Sequence, residues 1–212
     1  MNIDLRKKTG INLKKGSTIS LEKKGVPLSS VCFGLNWGAI QRTGVSKFLF
    51  GNTTVDLDGS VTQMSGGKHV DTVSFMKLSS TDGSIRHSGD DRTGDVDGDD
   101  GLDNEVIRIN LSKVNPKVDT IWIYLNSYKH QNFAEIPFSK IRVYEGIPSK
   151  IKDVLATFDL SSKPEFASYV SMIMGKLVRN GGTWTFEALG EPIPAKNIQE
   201  TVQFIKDKLV PA

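Results

Sequence analysis

The chain has 212 residues, 38% of them hydrophobic, enough for one large all-β domain or two small ones with a substantial core. Its net charge of +3 hides an asymmetry: residues 90–105 hold eight carboxylates against the single Arg92, leaving 26 of the 27 basic and 16 of the 24 acidic residues elsewhere. No run of 18 apolar residues occurs, and Asp4, Arg6, Lys7, Lys8, Lys14 and Lys15 interrupt the N-terminus, so neither a membrane-spanning helix nor a secretory segment is expected, and the protein is expected in the cytoplasm.

The lysine pairs at 7/8, 14/15 and 23/24 read as a solvated Lys-rich edge. No aromatic residue is interleaved with them, so binding to nucleic acid is not expected. Residues 11–21 carry two short apolar alternations, Ile11/Leu13 and Ile19/Leu21, split by Gly16, which predict short strands at an edge. Val31, Phe33, Leu35 and Trp37 alternate with Cys32, Gly34 and Asn36, the period of a core strand. Cys32 is the only cysteine, which excludes an internal disulfide, and its apolar neighbours predict a buried structural thiol. After a Gly/Ser/Lys connection, residues 55–61 alternate apolar and acidic. Residues 70–78 predict another strand, with Val73 and Phe75 on one face, and Asp82-Gly83-Ser84 a turn. Residues 85–87 lead into the acidic stretch and residues 106–111 leave it as a strand, which makes the stretch an inter-strand loop.

Further on, residues 113–119 read as a turn or helical fragment, 120–125 as a buried strand, 133–138 as irregular around Pro137, and 141–144 and 154–160 as two strands. Residues 169–179 and 183–188 predict a hairpin, with Asn180-Gly181 supplying the positive φ angles of its turn. Ile198, Val202, Ile205 and Leu209 share one helical face behind an Asn197/Glu200 capping box. This predicts a helix at about 197–209 that closes an edge or mouth of the sheets. The expected architecture is all-β: a single antiparallel β-sandwich domain over residues 1–212, core about 11–190, with short helical segments and the C-terminal helix.

The acidic stretch needs a chemical explanation. Asp90, Asp91, Asp95, Asp97, Asp99, Asp100, Asp103 and Glu105 against Arg92 leave a local charge of −7. Charges about 6 Å apart repel by roughly 0.7 kcal/mol in water and several-fold more near a protein surface, so ordering the stretch requires a counter-ion. Hard oxygens on Gly-broken backbone suit calcium, and no cluster of thiolates or imidazoles points to zinc. An EF-hand does not fit: the flanks are strands, and counting from Asp95 the sixth position is Asp100 instead of Gly and the twelfth Val106 instead of Glu. In a strand over 55–61, Asp56 and Asp58 share one face about 6.5 to 7 Å apart. The loop is expected to fold over them, bringing Asp58 and Asp99 to one ion.

Together, Gly34-Leu35-Asn36-Trp37, Asp56-Leu57-Asp58, the run from Asp82 to Gly94, Gly98-Asp99-Asp100 and Arg179-Asn180-Gly181-Gly182-Thr183-Trp184 resemble the ordered signatures of the TerD tellurium-resistance family, over about residues 11–190. The resemblance implies a calcium-binding β-sandwich of bacterial stress responses, linked to tellurite, phage and colicin resistance, with no established catalytic activity. Carried over residue by residue, Asp56 and Asp58 match the family's Asp-Leu-Asp strand, and Asp90, Asp91, Asp95, Asp97, Asp99 and Asp100 match its acidic loop. Two departures stand out. Gly38 replaces an Asp that many members carry after the Trp, and Gly101-Leu102-Asp103-Asn104 reads as an insertion, which leaves open whether Glu105 or Asp103 completes the ligand set.

The expected function is therefore a calcium-binding, non-catalytic module in which Ca²⁺, two ions by expectation, orders the loop for partner binding or scaffolding. Other stress-response or membrane-associated proteins are the expected partners. One alternative is a metal-dependent phosphoryl-transfer enzyme built on Asp56, Asp58, Asp99 and Asp100, against which stands the lack of a Gly-rich phosphate loop and of a nucleophile with its base. The other is a calcium-bridged binder of sugar or anionic lipid. His87, the one histidine near the acidic stretch, reads as structural.

Overall fold

Residues 10–42, 44–159 and 164–210 are described in the computed structural model. In chain order they form β1 (Ile11–Asn12), β2 (Thr18–Ser20), β3 (Glu22–Lys23), β4 (Val26–Pro27), β5 (Val31–Trp37), α1 (Gly44–Phe50), β6 (Leu57–Ser65), β7 (Lys68–Val73), β8 (Ile85–His87), β9 (Glu105–Ile109), β10 (Thr120–Ser127), β11 (Ser139–Ile147), β12 (Lys150–Asp159), β13 (Ser171–Asn180), β14 (Thr183–Ile193) and α2 (Ile198–Phe204). One sheet has the order β1-β12-β11-β5-β9-β8, the other β2-β14-β13-β10-β6-β7, and β3 and β4 pair separately. The pairings are antiparallel except β1 with β12.

Side-chain alternation builds the core between the sheets. Val31, Phe33, Leu35 and Trp37 of β5 point inward and meet Ile121, Ile123 and Leu125 of β10 and Trp184, Phe186 and Ala188 of β14 in one buried cluster. The Phe33 and Phe186 rings lie 5.3 Å apart across it. The other face of β10 is buried too: Trp122 and Tyr124 pack with Met64, Ile173 and Ile193 beneath Ile198 and Ile205. A strand covered on both sides has no solvent face to mark with polar residues, which explains the unbroken apolar run at 121–125. On the outside of the first sheet, Cys32 packs with Val106 and Tyr144, a small satellite cluster. Burial pushes the Cys32 thiol up to about 11, as expected of a structural thiol.

Several details differ from the sequence expectations, among them the strand expected at 70–78, which runs Lys68–Val73 with Val73 in the inter-sheet core and Phe75 against the outer cluster. The connection after β5 contains the seven-residue helix α1, within a fold otherwise read from strand periodicity. The strand expected at 55–61 starts at Leu57 and runs to Ser65, so Asp56 lies just ahead of it. In the late hairpin Asn180 pairs with Thr183, so the turn is Gly181-Gly182 and the positive φ of 59° belongs to Gly181. The earlier β6–β7 hairpin turns on Gly66-Gly67 with φ of 53° and 75°, the signs of a type I′ turn.

The C-terminal segment is helical as expected, but it covers the outer face of the second sheet instead of an edge or mouth. Asn197 Oδ1 accepts the Glu200 N–H at 2.9 Å, and the Glu200 carboxylate accepts the Lys196 N–H at 2.9 Å, the reciprocal cap that starts α2. Its last turn, Ile205–Leu209, widens to a π-turn. Of the lysine pairs, 7/8 lies outside the described residues. Lys15 is paired with Glu191, and Lys23 with Asp153 at 3.1 Å.

Candidate metal centre

The acids collect at the end of the sandwich where β5 finishes and β6 begins. Trp37 is fully buried, and its indole N–H donates to the Val55 carbonyl at 3.0 Å. Val55 in turn donates its N–H to the Thr93 carbonyl at 3.1 Å, and the Tyr128 N–H donates to the Asp56 carbonyl at 2.9 Å. These bonds fix Asp56 against both the acidic loop and the end of β10. Asp58, opposite Asn126 of β10, is held by the sheet itself. Asp90 arrives from the loop after β8.

Carboxylate oxygens of Asp56, Asp58 and Asp90 all lie within 4.8 Å of one another, Asp56 and Asp58 buried and Asp90 exposed. Burial, followed by the charges of Glu105, Asp56 and Asp90, pushes the Asp58 carboxyl up to about 8. Burial raises Asp56 as well, against the pull of Lys129, whose Nζ sits 3.8 Å from it. Three like charges pressed together at a partly dry site are stabilised by a cation. The donors are hard oxygens, which suit a hard divalent ion such as calcium.

A buried bridge between the sheets holds this end in shape. Glu105, the first residue of β9, is fully buried. Its carboxylate accepts the Gly59 N–H at 2.8 Å and the Asp91 N–H at 3.3 Å. His87 Nδ1 accepts the Gly89 N–H at 3.0 Å, so the ring proton sits on Nε2, which is 3.0 Å from the Gly59 carbonyl and 3.3 Å from Glu105. Burial raises the Glu105 carboxyl against the pull of these bonds. His87 is thus structural, and Glu105 ties the loop to β6.

The remaining loop acids form a second group. Asp91 Oδ1 accepts the N–H groups of Thr93 and Gly94 at 2.9 and 3.1 Å, and although burial opposes it, such bonds hold this carboxyl below its ordinary range. Asp95 accepts from Asn104 Nδ2 at 2.9 Å and from the Asp100 N–H at 3.2 Å. Asp99 takes Lys140 Nζ at 2.7 Å and the Gly101 N–H at 2.9 Å. Asp91, Asp95, Asp97 and Asp100 line one open cleft of about 470 Å³. Asp99 is not among the carboxylates that gather with Asp58. Asp99 is drawn over the outer face of the first sheet by Lys140, while Asp58 gathers with Asp56 and Asp90.

Asp103, from the apparent insertion, is also turned away. It pairs with Arg142 at 2.8 Å in a nearly dry setting, directly over Gly34. A Cβ on Gly34 would lie 2.1 Å from the Asp103 carboxylate, so a side chain at that strand position would displace Asp103 from its place over the strand. At Gly38, where an Asp was looked for, the Phe138 ring occupies the space a Cβ would need, 2.5 Å away. Sequence reasoning missed the cations and amides that organise the site: Asn36, whose Nδ2 donates to the Leu102 carbonyl, Asn104, Lys140 and Arg142 at the loop, and Lys129 at Asp56. Only Asn36 carried a signal, as a polar residue on a strand otherwise apolar or glycine.

An all-β sandwich that gathers carboxylates from a strand start and an inter-strand loop at one end defines a class of acidic-ended, two-sheet proteins. The family model of the TerD domain matches residues 9–203, and the chain belongs to the TerD domain family. It is 37% identical over 192 residues to the tellurium resistance protein TerZ of Serratia marcescens, covering 90% of this chain and 94% of that protein. It is 33% identical over 191 residues to the stress response protein SCP2 of Bacillus subtilis, covering 85% of this chain and 92% of that protein. A crystal structure of a homologue of the telluride resistance protein TerD from Streptomyces coelicolor shares the fold with a TM-score of 0.63 at 19% identity, over 87% of this chain and 99% of that one.

Proposed function

We propose that this chain is a calcium-binding, non-catalytic stress-response protein that acts in the cytoplasm in resistance to tellurite and related insults. The observation that carries the metal reading is the convergence of Asp56, Asp58 and Asp90 within 4.8 Å, at a site where burial and like charge push Asp58 up to about 8. Asp56, Asp58 and Asp90 hold one ion. A second belongs to the group of Asp91, Asp95, Asp97, Asp99 and Asp100. Glu105 acts by positioning the loop, since both of its oxygens receive backbone N–H groups. The resistance role is supported by the names of the relatives, tellurium resistance and stress response proteins.

Two calcium ions bring +4 to a segment carrying −7, which relieves its internal repulsion and changes the surface it offers to other stress-response or membrane-associated proteins. Calorimetric titration tests the reading. Calcium is expected to bind and to stabilise the fold by about 2.7 kcal/mol per site at a hundredfold excess over Kd, with magnesium much weaker because flexible carboxylates do not enforce its octahedral shell. Absence of binding heat together with a melting temperature equal in calcium and chelator refutes it.

A further inference from the structure

The acidic end of the sandwich also carries an apolar projection. In α1, Val45 is 73% exposed, Phe48 88% and Leu49 62%. No other five-residue stretch among the described residues exposes three large apolar side chains. The projection is tied to the acidic loop. Gln41 Nε2 and Asn52 Nδ2, one on each side of α1, donate to the same Val96 carbonyl at 3.1 and 2.9 Å, and Ile40 and Thr53 exchange backbone bonds of 2.9 Å at its base. Leu102 in the acidic loop is likewise exposed.

Charge at this end is arranged in the same sense. Residues 40–53 contain two basic residues and no acidic one. Arg92 and Lys129 stand beside the carboxylate trio, 3.7 Å from Asp90 and 3.8 Å from Asp56. Without metal, the −7 of the loop repels an anionic surface. With calcium bound that repulsion falls, which leaves the exposed Arg92 and the half-exposed Lys129 at the acidic end to which the apolar tip is tied. A globular partner needs about 800 Å² of shape-matched surface, which a convex seven-residue turn does not offer. A bilayer interface accepts a convex apolar tip and places cations at its phosphate layer.

We propose that α1 inserts Val45, Phe48 and Leu49 into an anionic phospholipid surface when the acidic loop is loaded with calcium, an inference that rests on the calcium reading above. The test is co-sedimentation of the full chain with phosphatidylcholine vesicles with and without phosphatidylserine, in calcium and in chelator. Binding is expected only with phosphatidylserine and calcium together. The double variant Phe48→Ser/Leu49→Ser is expected to partition about tenfold more weakly, with its calcium affinity in vesicle-free calorimetry and its melting temperature unchanged, as befits side chains already in water. Wild-type partitioning by that variant, binding that persists in chelator, or equal binding to vesicles lacking phosphatidylserine overturns the proposal. Calcium binding in calorimetry with no vesicle response sinks the membrane inference alone, whereas no calcium binding at all sinks the metal reading on which it stands.

Discussion

Replacing Asp58 by Asn keeps its shape and removes a carboxyl that, without calcium, must either carry its charge beside Asp56 or take up a proton to fold, and the outcome is expected to depend on calcium. Oxygens of Asp56 and Asp58 lie within 4.8 Å of each other, so their repulsion in the calcium-free protein is about 3.5 kcal/mol at the effective dielectric constant of about 20 that suits protein sites. The Asp58 carboxyl, normally near 3.8 and pushed up to about 8 by burial and its acidic neighbours, leads to the same order, at about 1.4 kcal/mol per pH unit between the two values. Solvent reaching the exposed Asp90 trims both figures, and a gain of about 2–4 kcal/mol is expected for the variant in chelator at pH 7.5. Because the folded value lies above the unfolded one, the wild type carries no penalty below about pH 4. The penalty grows as pH rises from there and levels off above about 8. Urea unfolding in chelator is therefore expected to show the wild type losing stability between pH 5 and 8 while Asp58→Asn stays flatter, and calcium is expected to close the gap at pH 7.5. An Asn variant no more stable than wild type in chelator refutes the reasoning.

Three further outcomes follow from the geometry. Asp58→Ala and Asp99→Ala are expected to lower calcium affinity additively, within about 0.5 kcal/mol, because the two carboxylates belong to separate groups; a double-variant titration showing strong coupling contradicts this. Gly34→Ala drives a Cβ to 2.1 Å from the Asp103 carboxylate and is expected to destabilise by about 3 kcal/mol, as for breaking a buried ion pair, with Asp103→Ala in the same chain recovering part of the loss; an unchanged melting temperature in Gly34→Ala rules it out. Asp82 accepts bonds from the Ser80 and Ser84 hydroxyls at 2.6 and 2.7 Å and from the Asn115 N–H at 3.0 Å, which outweigh burial and hold its carboxyl far below the ordinary range. Its contribution is present above the usual carboxylate range and lost as pH falls through the depressed value, so Asp82→Asn is expected to cost about 1–3 kcal/mol at pH 7 and progressively less in strong acid.

The strands were legible where large apolar side chains fall on alternate positions and write the period into the chain, as from Val31 to Trp37 and from Thr183 to Ala188. The site was legible as composition, because eight carboxylates in 16 residues have few uses besides holding cations. How those acids divide was not. The split depends on Lys140 and Arg142, which reach the loop from β11, and on Lys129, which reaches Asp56 from the turn after β10, and no local pattern links a strand lysine to an acid about 40 residues away in the chain. The trio itself needed Asp90 to be carried back over β6 by the Gly59, Glu105 and His87 bridge, a tertiary contact invisible to periodicity. The Asn180-Gly181 signal found the right hairpin with the wrong turn residues, because a glycine follows and lets the strand run one residue further.

Both sheets owe the cover of a long strand to a few residues near the start of the described chain. β12, ten residues long, is flanked by the two-residue β1, and β14, eleven residues long, by the three-residue β2. Strips this short leave little backbone for another molecule to pair with, and exposed Lys14 and Lys15 sit between them. Cleavage before Leu21 would remove both strips at once and bare β12 and β14 as long, unpaired edges. Among the described residues the core clusters would lose only Leu13 and Ile19, and the truncated chain is expected to become self-associating, stacking sheet edge to sheet edge.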